Sequence, residues 1–200
     1  MASTRTRMSP DLRKEQLLDL GLRLLSTRSL EELSIDLLAE KAGISRGLLY
    51  HYFGNKQDFH LAVVRRAADE VIRVTEPVAT GTALERLAGS LEAYVDYVLV
   101  NYEGYSSLVR GAASGNPALR EIYEETRAAL TDRIFATAGR DGLTELGVTD
   151  TPAVRLMARG WSALTEEVVL EWVRGGCEVP KDQLLRRLTS ALPAVLRGSF

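Results

Sequence analysis

Residues 34–59 read SIDLLAEKAGISRGLLYHYFGNKQDF, and no other stretch limits the fold of this chain so tightly. Ile35, Leu38 and Ala39 repeat at i, i+3 and i+4, so they share one face of a helix that Ser34 can cap. Ala42-Gly43 ends that helix, because glycine tolerates the left-handed backbone of a tight turn. Ser45 offers the next cap, and Leu49 and Phe53, four apart, give the following helix its inward side. Arg46, Leu48 and Tyr50 therefore point elsewhere, with His51 near the boundary. Asn55-Lys56-Gln57-Asp58 restarts the chain with an Asn cap and an acid three residues on, a variant of the capping box. Two short helices meeting at a glycine turn, with polar residues on the open face of the second, describe a reader of the DNA major groove.

The rest of the chain is helical in pattern, and strand alternation is absent. Ser9-Pro10 starts a first helix to about Ser26, with Leu17, Leu20, Leu24 and Leu25 as one apolar stripe around Gly21. A fourth helix follows Asn55 to about Val74. After a break at 77–81, residues 82–101 carry Leu84, Leu87, Leu91, Tyr94, Val95 and Val98 on one side, and a shorter segment covers 104–113. Gly115-Asn116-Pro117 breaks the chain again. A helix over 118–137 turns Leu119, Ile122, Tyr123, Leu130 and Ile134 inward, and a glycine-rich loop is expected from there to Pro152. Two amphipathic helices, 153–174 and 181–196, close the chain, the second bent near its end by Pro193. The expectation is an all-α fold of about nine helices.

The chain has 200 residues, 46% of them hydrophobic, enough to bury a core. Its single cysteine, Cys177, cannot form an intrachain disulfide, and no run approaches the roughly 20 apolar residues of a membrane-spanning helix. The start, MASTRTRMSPDLRKEQ, lacks the apolar core of a secretory signal, so a cytoplasmic protein without membrane contact is expected. The net charge of −2 hides a split. Residues 1–66 hold 11 Lys and Arg against 8 Asp and Glu, a balance of +3, which leaves −5 for the remainder. The basic part is the part with the helix-turn-helix pattern. Arg5 and Arg7 lie in a polar arm that can reach a groove or phosphates.

Enzyme chemistry finds no footing. Cys177 has no identifiable histidine partner, and no phosphate-cradling glycine loop precedes a helix. His51 and His60, nine apart, miss the i, i+4 spacing of two metal ligands on one helix face, so neither a metal nor a cofactor is expected.

Ala42-Gly43-Ile44-Ser45, Gly47-x-Leu49-Tyr50-x-Tyr52-Phe53 and Asn55-Lys56, in this order and spacing, make residues 12–63 resemble the DNA-binding domain of TetR-type transcriptional regulators. The resemblance covers about a quarter of the chain. It departs from the family at Ser29-Leu30, where glycine and an aromatic are frequent, and at Leu33 and Leu48, where threonine is common. The resemblance implies that Ser34 and Ser45 present hydroxyl and backbone N–H groups to phosphates at helix starts. Arg46 would pair with guanine O6 and N7, and Leu48 would touch a thymine methyl. Gly47 would allow close backbone approach, Tyr50 and His51 would reach phosphates or base edges, and Lys56 would neutralise a phosphate.

By the same resemblance, residues 1–54 form the helix-turn-helix domain, the helix over 55–74 connects, and 75–200 form a domain for effector binding and dimerisation. Middle helices in this family enclose a small-molecule pocket, for which Tyr94, Val98, Tyr123, Met157 and Trp161 are the candidate lining and a lipophilic or aromatic molecule the candidate ligand. The last two helices carry more apolar surface than one small core needs. Val168, Trp172, Leu184, Leu188 and Leu192 are accordingly the candidate interface of a homodimer. The functional expectation is a repressor that binds a palindromic double-stranded operator and is released by an effector. The alternative is a helical dimerisation protein whose helix-turn-helix contacts protein partners.

Overall fold

The computed structural model describes residues 9–198. Among these it comprises nine helices and no strand: α1 (Pro10–Leu25), α2 (Ile35–Ala42), α3 (Arg46–Phe53), α4 (Lys56–Val74), α5 (Ala83–Val100), α6 (Tyr102–Ala113), α7 (Pro117–Glu145), α8 (Pro152–Arg174) and α9 (Lys181–Arg197). Local chemistry sets most of the starts. Ser9, Ser34, Ser45, Asn55, Thr82, Asn116 and Thr151 each accept a first-turn amide through the side chain, which satisfies donors that have no acceptor within their own helix. Gly43, at φ 64°, ends α2 in the left-handed conformation that the turn into α3 requires.

The segment after residue 137 differs from expectation. Instead of a long loop, α7 continues to Glu145, interrupted only at Gly139 with φ 62° and ψ −173°. Phe135 before the break and Gly142 and Leu143 after it are all buried. Tertiary packing thus holds a helical turn where local glycine content favours a loop.

Two apolar clusters organise the molecule. The first joins α1, α2, α3 and α4 through residues such as Leu17, Leu33, Leu38, Leu49, Phe53, Phe59 and Val63, and Leu119 and Ile122 from the start of α7 reach into it. The second joins α5, α7, α8 and α9 through Leu91, Val95, Val98, Phe135, Trp161, Val169, Leu184, Leu188 and Leu192. Helix α7 therefore spans both. Where α6 crosses α1, a Cβ placed on Gly104 would lie 2.4 Å from the Leu25 carbonyl oxygen, closer than any side chain tolerates. Ser107, on the same helix, accepts the Leu30 amide at 2.9 Å and donates to Glu31 at 2.8 Å. The turn between α1 and α2 is thereby tied to α6.

Candidate nucleic-acid interface and cavity

Helix α3 is held from behind and open in front. Leu49 and Phe53 are buried, and the Phe53 ring meets Phe59 of α4 edge-on at 5.1 Å between centroids. Leu48 and Tyr50 keep 37% and 46% of their surface exposed, and Arg46, Gly47 and His51 are exposed with them. Ser34 and Ser45 are the caps of α2 and α3, accepting the Leu37 and Leu48 amides at 3.1 and 3.3 Å. Gly47 has nothing but Ser45 Oγ, at 3.9 Å, near the position of a Cβ, so packing within the protomer does not require glycine there. Lys56 is exposed at the start of α4.

Arg46 is not free: its guanidinium contacts the carboxylate of Asp36 on α2, with both side chains largely exposed. Such surface pairs contribute roughly 0–1 kcal/mol, so exchanging Asp36 for another acceptor costs little. His51 leans edge-on against the half-buried Tyr52 at 5.7 Å. The arm containing Arg5 and Arg7 lies outside the described residues.

A cavity of about 130 Å³ lies among α5, α7, α8 and α9. Its wall is mainly aliphatic, with Leu84, Leu87, Leu91, Ile134, Leu146 and Leu192. Tyr94 and Trp161 also line it; the Trp161 indole donates to the Leu188 carbonyl at 3.1 Å. Tyr123 lines an adjoining recess together with Tyr97 and Leu108. The other two expected lining residues are elsewhere. Val98 is fully buried in the second cluster, and Met157 is 41% exposed on the outside of α8.

The cavity wall also contains a buried carboxylate. Glu166 is only 8% exposed. One of its oxygens accepts Tyr105 Oη at 2.8 Å and the other accepts Tyr123 Oη. Tyr94 Oη lies 3.0 Å from Tyr105 Oη. Because Tyr105 spends its proton on Glu166, the order of donation runs from Tyr94 to Tyr105 to the carboxylate. Burial first, then the negative charge of Glu166, pushes the Tyr94 hydroxyl well above its ordinary range. Burial also holds Tyr105 well above that range and pushes Tyr123 up to about 12, so all three remain donors near neutral pH. Arg127 donates to Tyr123 Oη at 3.0 Å and thereby joins the same network.

Two hydroxyls on the cavity wall stand outside this network. Thr165 Oγ1, on a side chain 4% exposed, and Ser90 Oγ are buried without a hydrogen-bond partner. Glu166 was not among the residues expected to line the cavity. The inward face of α8 is Ala158, Trp161, Thr165 and Val169, with Glu166 beside it, whereas Met157, expected to line the pocket, is exposed together with Leu156 and Leu164. Small polar Ser162 and Thr165 among bulky neighbours were the available signal.

The candidate interface residues divide in a similar way. Leu184, Leu188 and Leu192, read as surplus apolar surface, are already buried in the protomer because the stripe of α9 packs on α5 and α8. Val168 and Trp172 are half-buried, with the Trp172 indole donating to the Val179 carbonyl at 2.7 Å. The exposed apolar surface lies instead on α8, at Leu156, Met157 and Leu164. No helix of the described residues is long and apolar enough to cross a membrane.

A helix-turn-helix with an open α3 face, joined to a helical body around a cavity, is the architecture of a one-chain transcriptional regulator. Sequence comparison agrees: residues 17–63 match the model for bacterial regulatory proteins of the tetR family, and residues 84–195 match a tetracyclin repressor-like C-terminal domain. The chain belongs to the TetR family of transcriptional regulators.

Among its relatives, a TetR-family regulator from Streptomyces coelicolor has a crystal structure that superposes with a TM-score of 0.81 at 32% identity, covering 96% of this chain and 83% of that one. The transcriptional activator FasR of Mycolicibacterium smegmatis is 26% identical over 178 residues, 88% of this chain and 79% of the relative. The regulator FadR of Bacillus subtilis, solved in complex with stearoyl-CoA, shares the fold with a TM-score of 0.67 at 19% identity, over 93% of this chain and 99% of that one.

Proposed function

We propose that this regulator binds a palindromic operator as a homodimer, represses by occupying a promoter, and is released by a small lipophilic effector in the cavity. The observation that carries the reading is the exposed face of α3, backed by buried Leu49 and Phe53 and flanked by the capped starts of α2 and α3. Residues 1–54 are the reading unit, α4 the connection, and 75–200 the effector and dimerisation unit. Arg46 takes a guanine, exchanging Asp36 for O6 and N7, while Leu48 packs on a thymine methyl. Ser34, Ser45, Gly47, Tyr50, His51 and Lys56 lie along the backbone and base edges. The protein acts in the cytoplasm, as a binding protein rather than an enzyme.

A dimer is supported by the exposed Leu156, Met157 and Leu164 of α8, which a second copy would cover, with Val168 and Trp172 at the edge of the same surface. One α3 helix reaches few base pairs, and a two-fold pair doubles the site. In the chain's favour as a sensor, the cavity holds two buried hydroxyls without partners, and a structural relative was solved with an acyl-CoA.

Fluorescence anisotropy with DNA from the region upstream of its own coding sequence tests the reading. Binding should weaken steeply with salt, and light scattering should give about twice the 22.0 kDa chain mass. Absence of salt-dependent binding to any upstream fragment overturns the DNA-reading assignment. A promoter reporter tests the sign of regulation, and since the Mycolicibacterium relative is named a transcriptional activator, increased transcription is the outcome that would reverse it.

A further inference from the structure

Arg133 of α7 does two things at once. Its guanidinium lines the cavity, and it donates to the Ile72 carbonyl at 2.7 Å and to Thr75 Oγ1 at 3.2 Å. Thr75, itself buried and lining the cavity, donates to the Val71 carbonyl at 2.7 Å. The two side chains thus converge on the last turn of α4, where the Val71 carbonyl already accepts the Thr75 amide and the Ile72 carbonyl is reached by Arg133 and, at 3.3 Å, by the Thr75 hydroxyl. The positive charge also meets the negative end of the helix dipole. Only two residues separate α3 from α4, and Phe59 of α4 packs on Phe53 of α3. A group that holds the far end of α4 therefore holds a rigid rod of 19 residues, about 28 Å, attached to the exposed α3 face.

The charges around the cavity are unequal. Arg127, Arg133 and Glu166 line it. Glu166 is occupied by two tyrosyl hydroxyls and linked to Arg127 through Tyr123. Arg133 belongs to no such network, and among the described residues its partners are neutral oxygens only. The lining is otherwise apolar, and Ser90 Oγ and Thr165 Oγ1 wait on its walls without partners. A cavity of about 130 Å³ is of the size that holds a single ring or a short alkyl chain.

We infer that the effector is a lipophilic carboxylate whose head takes Arg133 from the end of α4 while its tail fills the aliphatic part of the cavity. This deepens the effector reading given above and rests on it. Ligand binding and release of α4 are then coupled: Nη1 alone makes the bonds to Ile72 and Thr75, and a carboxylate that draws the guanidinium into the cavity breaks them. The carboxylate binds more tightly to the state in which α4 is released, which is the differential affinity that any such switch requires. A neutral molecule with the same tail occupies the cavity and leaves the cap in place. A cation meets Arg133 and Arg127 and is disfavoured.

Three probes of one tail length separate these cases on the full-length protein: octanoate, octanol and octyltrimethylammonium. Octanoate should raise Tm most and lower operator affinity by about tenfold, within the usual range of coupling between two sites. Octanol should raise Tm less and barely change operator affinity. Hydrogen exchange at the amides of 72–76 should speed up with octanoate and not with octanol. In Arg133→Met the operator response to octanoate should fall to that of octanol; Arg133→Lys, which keeps the charge and fewer donors, should retain a reduced preference.

If Arg133→Met responds to octanoate as the parent does, the inference is wrong. Stabilisation by octyltrimethylammonium in preference to octanoate would assign the head site to Glu166 and overturn it equally. Should no probe alter Tm or operator affinity while salt-dependent DNA binding is intact, the ligand class is wrong and the regulator reading stands. Loss of DNA binding in the parent protein sinks that reading first. Where Arg133→Met does not fold, the exchange measurement on the parent and the response of Arg133→Lys still decide.

Discussion

The α2–α3 pair and the body around the cavity are both helices packed through leucines and aromatics, yet they finish their packing differently. In the first, Leu33, Leu38, Leu49 and Phe59 lose all their exposed surface, and the polar groups on α3 face outward. In the second, leucines on α5, α7 and α9 surround open space, and Glu166, Thr165 and Ser90 are turned toward the interior. A close-packed unit presents a fixed surface, which suits recognition of a fixed groove. A body with space and unsatisfied hydroxyls has something to gain from a guest, since an unmade buried hydrogen bond costs about 1–3 kcal/mol. Fixed geometry at one end and unfinished packing at the other are what a ligand-responsive reader needs.

The largest test of this contrast is packing loss. Phe59→Ala, at a site with no exposed surface, should destabilise the protein by about 3–5 kcal/mol in urea unfolding. Leu87→Ala, on the half-buried cavity wall, should cost about 2 kcal/mol or less. Equal losses at the two sites would erase the distinction between closed and unfinished packing.

Next in size is base discrimination. Arg46→Ala should remove about 1–3 kcal/mol of preference at one base pair of each half-site, measured by competition with substituted operators. Lys56→Ala should weaken all sequences alike and lower the salt slope by about one. A sequence-dependent effect of Lys56, or a uniform one of Arg46, would exchange their assigned roles.

Thr165→Val replaces an unpartnered buried hydroxyl by a methyl of similar shape. It should stabilise the ligand-free protein by about 1 kcal/mol, an unusual direction for a core substitution. Destabilisation would show that the hydroxyl has a partner and that the cavity is less unfinished than it looks.

The smallest effect is one of pH, and it belongs to the first cluster. Burial lowers the pKa of His60, whose Nε2 donates to the Leu33 carbonyl at 2.6 Å. A histidine with a lowered folded-state pKa remains neutral in the fold while the unfolded chain takes up a proton. Stability should therefore be level above about pH 6.5 and decline as the pH falls below it, and His60→Gln should flatten that decline. A steeper decline in the variant would reverse the sign.

The reading unit was largely legible because its signals are local. Caps at Ser34, Ser45 and Asn55 and the turn at Gly43 are set by residues within a few positions of each other, and the structure places each as expected. The body was legible in outline only. Its helices were recognised, but the glycines after 137 suggested a loop that burial of Leu143 overrides. The stripe on α9 was visible, while the side from which it is covered was not. Helical spacing reports that Leu184, Leu188 and Leu192 share a face; it does not report whether α5 and α8 of the same protomer or a second copy lies against it. Arg133 carried no signal at all, being one of several charged residues on α7.

By itself the amino-acid sequence determined the helices apart from the end of α7, the caps and turn of the α2–α3 unit, the outward residues of α3 and the family resemblance, because each depends on neighbours within a few helical turns. Only the tertiary structure decided that Glu166 is an interior carboxylate and that Arg133 closes the end of α4. The partners of Glu166 lie 61 and 43 positions away, and the Ile72 carbonyl lies 61 positions from Arg133. Burial and charge pairing are set by what packing brings together, and no spacing along one helix encodes them.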